Sequence, residues 1–347
     1  MPSGFVAESI DRLLAGGDLG REGAERALGE VLRGEAGEPQ TAGLLIALRA
    51  KGETASELAG LAAAIRGAAE RVPTPSGPVV DTCGTGGGRS TFNISTTAAF
   101  VAAGAGAVVA KHGNRSATSK SGSADVLEAL GARIDLSPEA VSECMATTGV
   151  GFMFAPAHHP AFRHVVPVRR ALGVRTVFNL LGPLTNPAGA PAQVLGVADV
   201  AYLDRLGHAL AELGSRRVML VSGRDGLDEI STAAPTDVVE VREGGVTRSV
   251  VDPVALGFAP PGDDAIRGGD PGHNAEVTRH VLRGARGGPR DVVVLNAAAA
   301  IVVAGLADDL AAGVRAAEES IDSGAAAERL ARFVAATGRL AFQGGPA

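Results

Sequence analysis

Residues 1 to about 72 read as helices only. Val6, Ile10, Leu13 and Leu14 fall at i, i+4, i+7 and i+8, the apolar stripe of an amphipathic helix. Ala27, Leu28, Val31 and Leu32 make a second stripe after Asp18-Leu19. Gln40 to Leu48 gives a third segment, apolar nearly all round and ending before Lys51-Gly52. Thr54-Ala55-Ser56-Glu57 has the spacing of a capping box, and Leu58, Leu61 and Ile65 continue its helix. Four short helices with brief turns predict a small bundle. Pro73, Pro75, Gly77 and Pro78 then mark a linker, because proline removes donors and stiffens the chain.

Beyond Pro78 strands and helices alternate. Val79-Val80, Val108-Val109, Val194 to Val197 and Val218 to Val221 read as strands, as does Val292 to Leu295. Val238 to Val241 followed by Glu243-Gly244-Gly245 reads as a hairpin. Helices are expected over Ala98 to Ala103, Ala124 to Leu130 and Glu139 to Thr147, the last behind the cap and first-turn proline Ser137-Pro138. Leu203, Leu206, Leu210 and Leu213 form another helical stripe, and small-residue helices run through Ala335. Gly151 to Pro191 has no simple period; Val168 to Leu172 and Thr176 to Leu181 read as helical between Pro167 and Pro183. Residues 252 to 272 read as a long loop. The fold class is α/β, a small all-helical N-terminal domain plus a large α/β domain with a central, mostly parallel sheet.

Between Asp81 and Gly131 the chain packs its densest polar, glycine-rich sequence between apolar runs. After the first strand comes Gly84-Thr85-Gly86-Gly87-Gly88, and Asn93, Ser95 and Thr96 stand where the next helix begins. A strand-glycine-helix unit gathers N–H groups at a positive helix end, which favours phosphate. A second such unit follows, in which Lys111-His112-Gly113-Asn114-Arg115 opens into hydroxyls before a helix. Each loop alone is more often a plain turn. In a parallel sheet, however, both emerge at the same strand ends, where open α/β sheets bind ligands. The first lacks the Gly-Lys-Ser/Thr of a P-loop, and Arg89 stands where a G-x-G-x-x-G fingerprint needs its last glycine.

Composition narrows the class. At 347 residues, one large and one small domain is the natural division. A net charge of −6 and 3% aromatic residues argue against a nucleic-acid binder. No apolar run reaches membrane-spanning length, and the N-terminus lacks a basic region followed by a hydrophobic one, so a cytoplasmic protein is expected. Two cysteines, Cys83 and Cys144, give neither a disulfide framework nor metal-ligand spacing.

GTGG followed by TFNIST, then KHGNR, then GSADVLEALG, resembles the anthranilate phosphoribosyltransferases, which share their fold with the pyrimidine nucleoside phosphorylases. The resemblance covers nearly the whole chain. It implies that helices from about 165–188 return to join the 1–72 bundle, leaving 73–164 and 189–347 as the α/β domain. It makes Pro73–Pro78, the region near His164 and Pro183–Pro191 hinge candidates. It implies transfer of phosphoribosyl from 5-phosphoribosyl 1-diphosphate to anthranilate in tryptophan biosynthesis, with two Mg2+ ions and a homodimer formed through the helical domain. KHGNR and the Arg169 signature count against the phosphorylase alternative. The acid pair and negative charge count against a silent homologue acting as a nucleic-acid or partner-binding module.

Carried over residue by residue, the resemblance implies substrate contacts from Gly84, Gly87, Thr91, Asn93, Ile94, Ser95, Thr96, Lys111, His112, Gly113, Asn114, Arg115, Ser119, Ser123 and Arg169. Asn114 and Arg169 are the anthranilate contacts, with His112, Ala155, His159 and Phe162 lining the same route. Asp228-Glu229 and Ser95 are the expected magnesium ligands; hard oxygen donors suit that ion. Arg170 looks as suitable as Arg169 by residue type, and the motif VR-x-x-LG-VRT selects Arg169. The chain departs from the family's first loop, usually GTGGDG. It is one residue shorter and has Gly88 and Arg89 in place of the aspartate, with Arg89 either touching phosphate or solvated. His158 and His159, as sequence neighbours, point in different directions and are not expected to form a metal site.

Overall fold

The computed structural model describes residues 4–116, 120–260 and 265–343. Four helices open it: α1 (Phe5–Leu14), α2 (Gly20–Leu32), α3 (Glu38–Lys51) and α4 (Ala55–Gly67). The capping box forms as expected. Thr54 Oγ1 accepts from Glu57 N at 3.2 Å, and Glu57 Oε2 accepts from Thr54 N at 2.8 Å. Glu57 is fully buried and also accepts from Leu19 N at 2.9 Å and Lys51 Nζ at 3.0 Å. A buried carboxylate supplied with this many donors is compensated, and it ties two turns to the start of α4. α2 and α4 cross at Gly60, where a β-carbon would lie 2.0 Å from the Arg21 carbonyl oxygen.

The rest is β1 (Val79–Gly84), α5 (Ile94–Gly104), β2 (Val108–Gly113), α6 (Ser123–Ala129), α7 (Pro138–Thr148) and β3 (Val150–Phe154). The short helices α8 (Ala155–His158), α9 (Val166–Leu172) and α10 (Phe178–Leu181) follow. Then come β4 (Ala192–Gly196), α11 (Leu203–Glu212), β5 (Arg217–Gly223), β6 (Thr236–Arg242) and β7 (Gly245–Val251). α12 (Pro271–Leu282), α13 (Gly288–Val303), α14 (Leu310–Asp322) and α15 (Ala325–Gln343) close the chain. The sheet runs β3-β2-β1-β4-β5-β6-β7, parallel through β5 and antiparallel at β6 and β7. The β6–β7 hairpin turns on Glu243 and Gly244, both at positive φ (50° and 83°), the backbone that two-residue hairpins favour.

Side chains alternate across the inner strands. Val194, Met219 and Val221 enter one core, with α5 and α13; Leu195, Val218 and Leu220 enter the other, shared with α11 and the helical bundle. Val165, Val177, Phe178 and Leu181 join this second core, so the connector after β3 packs back on α3 and α4. Two hydrogen bonds stitch the chain crossings together: Glu70 N donates to His158 O at 2.9 Å and Val72 N to Pro187 O at 3.2 Å.

Val292 to Leu295 is not a strand. It lies inside α13, where every residue from Val292 to Val303 is buried. A helix enclosed on all sides shows no polar stripe, so a β-branched run within it imitates a buried strand. The strand β3 and the helix α12 had no distinct sequence signal, and α12 begins at the end of the segment read as a long loop.

Candidate active site

β1, β2, β4 and β5 all end in glycine, at Gly84, Gly113, Gly196 and Gly223. Their carboxyl ends share one edge, and the chain reverses direction of travel across the sheet between β1 and β4, where α/β folds open a crevice. The loop carrying Asp228 crosses this edge. A β-carbon on Gly196 would lie 1.8 Å from Asp228 O, and one on Gly88 would lie 2.4 Å from Asp228 Oδ1. Bare backbone on both sides lets the acid pair sit against the glycine loop.

That loop presents free donors. The N–H groups of Gly86, Gly87 and Gly88 have no partner among the described residues, and Gly86 and Gly87 take positive φ (65° and 96°). Consecutive free N–H groups beside a helix N-terminus form a concavity for an anion. Arg89 turns away from it: its N donates to Gly226 O at 3.1 Å and its guanidinium pairs with Asp225 at 3.0 Å. Thr91 forms an isolated antiparallel bridge with Arg267. Asn93 Oδ1 accepts from Ser121 Oγ at 3.1 Å and from Asn274 Nδ2 at 2.9 Å, which spends much of its side chain on bracing the two loops. Ile94 and Thr96 bury their side chains, whereas Ser95 N donates to Glu229 Oε1 at 3.1 Å.

The second loop splits in two. Lys111 and His112 are buried, while Asn114 and Arg115 are exposed. Ser123 Oγ donates to Asn114 O at 3.3 Å and occupies the space that a β-carbon on Gly113 would need. Arg115 binds the α6 carboxylates Asp125 (3.1 Å) and Glu128, and these pairs raise its pKa further above the ordinary arginine value. Ser119 lies outside the described residues.

Beneath the crevice lies a buried charge network. Lys111 Nζ donates to Thr82 O; Asp81 accepts from His112 N at 3.2 Å and Gln193 Nε2 at 3.3 Å. Burial pushes the Asp81 carboxyl up and the Lys111 ammonium down, each opposed by the other's charge. Glu229 is pushed up to about 8, by burial first and then by Asp228 beside it. Asp228 is also raised by burial. Among the described residues no three His, Cys, Asp or Glu side chains cluster as a metal site. Two crowded carboxylates and a serine hydroxyl are an oxygen-only set whose mutual repulsion a hard divalent cation relieves; such cations commonly take few protein ligands and complete their shell with water and phosphate. Cys83 receives Gln193 Nε2 at 3.1 Å and burial raises its thiol pKa well above the ordinary value, so it behaves as a packing residue.

From this edge a line of rings reaches the helical side. His112 lies 5.1 Å from His159, His159 stacks on Phe162 at 4.8 Å, Phe162 meets Phe178 edge-on at 5.6 Å, and the Arg169 guanidinium lies 5.2 Å over Phe178. Arg169 is half-buried, and Arg170 is exposed. Burial lowers His112 to about 3 and His159 to about 4, so both rings are neutral, and the Nε2 atoms of both are buried without a partner.

Residues 76–327 match the glycosyl transferase family a/b domain, and residues 7–69 match the helical bundle domain of the same family. The anthranilate phosphoribosyltransferase of Rubrobacter xylanophilus is 54% identical, over 98% of this chain and 100% of its own length. The chain belongs to the anthranilate phosphoribosyltransferases. The crystal structure of the Thermus thermophilus enzyme superposes with a TM-score of 0.89 at 44% identity, covering 95% of this chain and 99% of that one. The Saccharomyces cerevisiae enzyme in complex with PRPP and Mg gives 0.88 at 28% identity, covering 96% and 98%. It has also been solved with 4-fluoroanthranilate.

In this anthranilate phosphoribosyltransferase two further side chains brace the crevice. Gln193 reaches from β4 to Asp81 and donates to Pro183 O at 2.8 Å, which links the connector to the sheet edge. Asn274 on α12 braces Asn93 and accepts from Gly269 N at 2.8 Å. Neither sits in a glycine-rich or charged motif, so only the three-dimensional crossing reveals them.

Proposed function

We propose that the chain transfers phosphoribosyl from 5-phosphoribosyl 1-diphosphate to anthranilate, giving N-(5-phosphoribosyl)anthranilate and pyrophosphate, the tryptophan-biosynthesis reaction for which its family is named. The amino nitrogen bonds to the anomeric carbon, the carbon–oxygen bond to diphosphate breaks with its electron pair leaving on oxygen, and nitrogen releases a proton to solvent. The amine is neutral at pH 7, so no strong base is needed. Stabilising the departing diphosphate and excluding water do most of the work.

One observation carries the reading: free glycine-loop N–H groups stand beside the Asp228-Glu229 pair at the edge from which the ring line runs to Arg169. The yeast relative's two ligand classes support the two ends of that arrangement. Asp228, Glu229 and Ser95 would hold Mg2+, two ions in this proposal; bound there, the cation supplies charge that neutralises the leaving group. The glycine loop, with Thr91, Ser95 and Ser123, would receive the phosphates, and Lys111 would supply positive charge from beneath. Asn114 and the planar fork of Arg169 would take the anthranilate carboxylate, with His112 and His159 flanking it as neutral rings.

The domain division at 1–72 with 165–188, the cytoplasmic setting and the homodimer belong to the same proposal. Leu14 on α1, Ile46 on α3, Val166 on α9 and Val174 just after it are exposed, and α3 packs beside both α1 and α9, which supports a pairing face there. The reaction is tested by anthranilate fluorescence. It should fall only when protein, Mg2+ and 5-phosphoribosyl 1-diphosphate are all present; steady fluorescence, with phosphorolysis of thymidine instead, would contradict the assignment.

A further inference from the structure

Arg175 lies in the connector between α9 and α10, on the helical side of the crevice. Its carbonyl oxygen accepts from Arg49 of α3, which fixes the backbone. Its guanidinium makes no hydrogen bond or ion pair among the described residues. It lies across the glycine loop: a β-carbon on Gly87 would stand 2.6 Å from Nη1 and 3.4 Å from Nη2. Gly87 holds φ at 96°, which residues with a side chain rarely adopt, so the backbone stays bare where the fork rests.

Fork and loop share a cavity of about 330 Å³ with Arg49, Thr85 and Thr176. Thr176 is 5% exposed, and its Oγ1 is buried with no partner. An orphaned hydroxyl is costly unless a ligand or water meets it. Two carboxylates also line the cavity: Asp199, whose Oδ1 accepts from Ala201 N at 3.0 Å, and Glu53, whose pKa burial raises. The unpartnered donors in and beside it are a planar guanidinium, the Thr176 hydroxyl and the N–H groups of Gly86 to Gly88. That set suits a phosphate or diphosphate, to which arginine can present two parallel N–H groups.

We propose that Arg175 is a phosphate-binding residue of the transfer reaction, contributed from the helical side and closing over the diphosphate end of the sugar on the glycine loop. The inference rests on the reading of that loop as the phosphate cradle. Arg175 and Arg169 then divide the labour of one connector, the first on the phosphorylated sugar and the second on the aromatic acid. The chain crossing that delivers both couples phosphate binding to the position of the bundle, because Arg49 of α3 holds the Arg175 backbone.

The test compares wild type, Arg175→Gln, Arg175→Lys and Arg169→Gln in steady-state kinetics, with magnesium pyrophosphate as product inhibitor and a melting curve for each. Arg175→Gln should raise KM for 5-phosphoribosyl 1-diphosphate and Ki for pyrophosphate together, by about 10- to 100-fold, and leave KM for anthranilate near wild type. Arg175→Lys should recover part of the loss, and Arg169→Gln should give the opposite pattern. Unchanged pyrophosphate inhibition in Arg175→Gln overturns the inference, as does an equal rise in both KM values with a lowered melting temperature, which marks a structural post. Failure of the wild type to bind magnesium 5-phosphoribosyl 1-diphosphate by calorimetry overturns the loop reading itself and this inference with it.

Discussion

The carbonyl oxygen of Asp228 passes 1.8 Å from where a β-carbon on Gly196 would stand, so the acid loop and the end of β4 fit only while position 196 is bare. Gly196→Ala must push the loop outward. The overpacking is expected to cost about 1–3 kcal/mol of stability, and the Mg2+ concentration for half-maximal activity should rise. A thermal melt and a magnesium titration check both, and an unchanged titration would show that the loop position does not matter to the metal.

Arg169 is proposed to hold the anthranilate carboxylate. Arg169→Ala should raise KM for anthranilate about 10- to 100-fold, the worth of a hydrogen bond to a charged group, and leave KM for 5-phosphoribosyl 1-diphosphate nearly unmoved. Equal effects on both would contradict the assignment.

Asp228 and Glu229 repel each other at the crevice, and burial adds to the strain. Replacing both by alanine removes the repulsion as well as the proposed cation site. The variant should fold at least as well as the parent in magnesium-free buffer and lose magnesium-dependent activity. A preserved magnesium dependence would take these residues out of the site.

His112 and His159 are held far below the ordinary histidine value of 6.5, at about 3 and about 4. The unfolded chain therefore binds protons here that the folded chain refuses. Stability from these rings is complete above pH 6.5 and is lost as pH falls, toward about 4 for His159 and about 3 for His112, at up to about 1.4 kcal/mol per pH unit for each ring. Urea unfolding at pH 5 and pH 7.5 measures the difference, and His159→Gln should flatten it; a slope unaffected by that substitution would contradict the burial argument.

Leu14, 70% exposed at the end of α1, belongs to the proposed pairing face. Leu14→Glu with Val174→Glu should shift the mass by light scattering from two chains to one. A parent protein of single-chain mass would remove the dimer.

The bundle, the βα alternation and the two loops at the strand ends were legible because each has a local signature: apolar stripes, a capping box, glycines behind β-branched runs. Full enclosure erases the stripe that identifies a helix, so part of α13 imitates a strand, and β3 gives little signal because Val150-Gly151-Phe152-Met153-Phe154 has only Val150 as a β-branched residue. At the site, the resemblance assigns a role to Arg169 and none to Arg175 of the same VR-x-x-LG-VRT motif, whose proposed role comes from its lying on Gly87. The pairing of Arg89 with Asp225 likewise joins residues distant in sequence, which no motif spacing could show.

The most direct measurement is a crystal grown with Mg2+ and 5-phosphoribosyl 1-diphosphate. The account predicts the diphosphate against the N–H groups of Gly86 to Gly88, metal density at Asp228 and Glu229, and an open path along Phe162 to Arg169. Sugar and metal bound at another face of the sheet, with the glycine loop vacant, would contradict it.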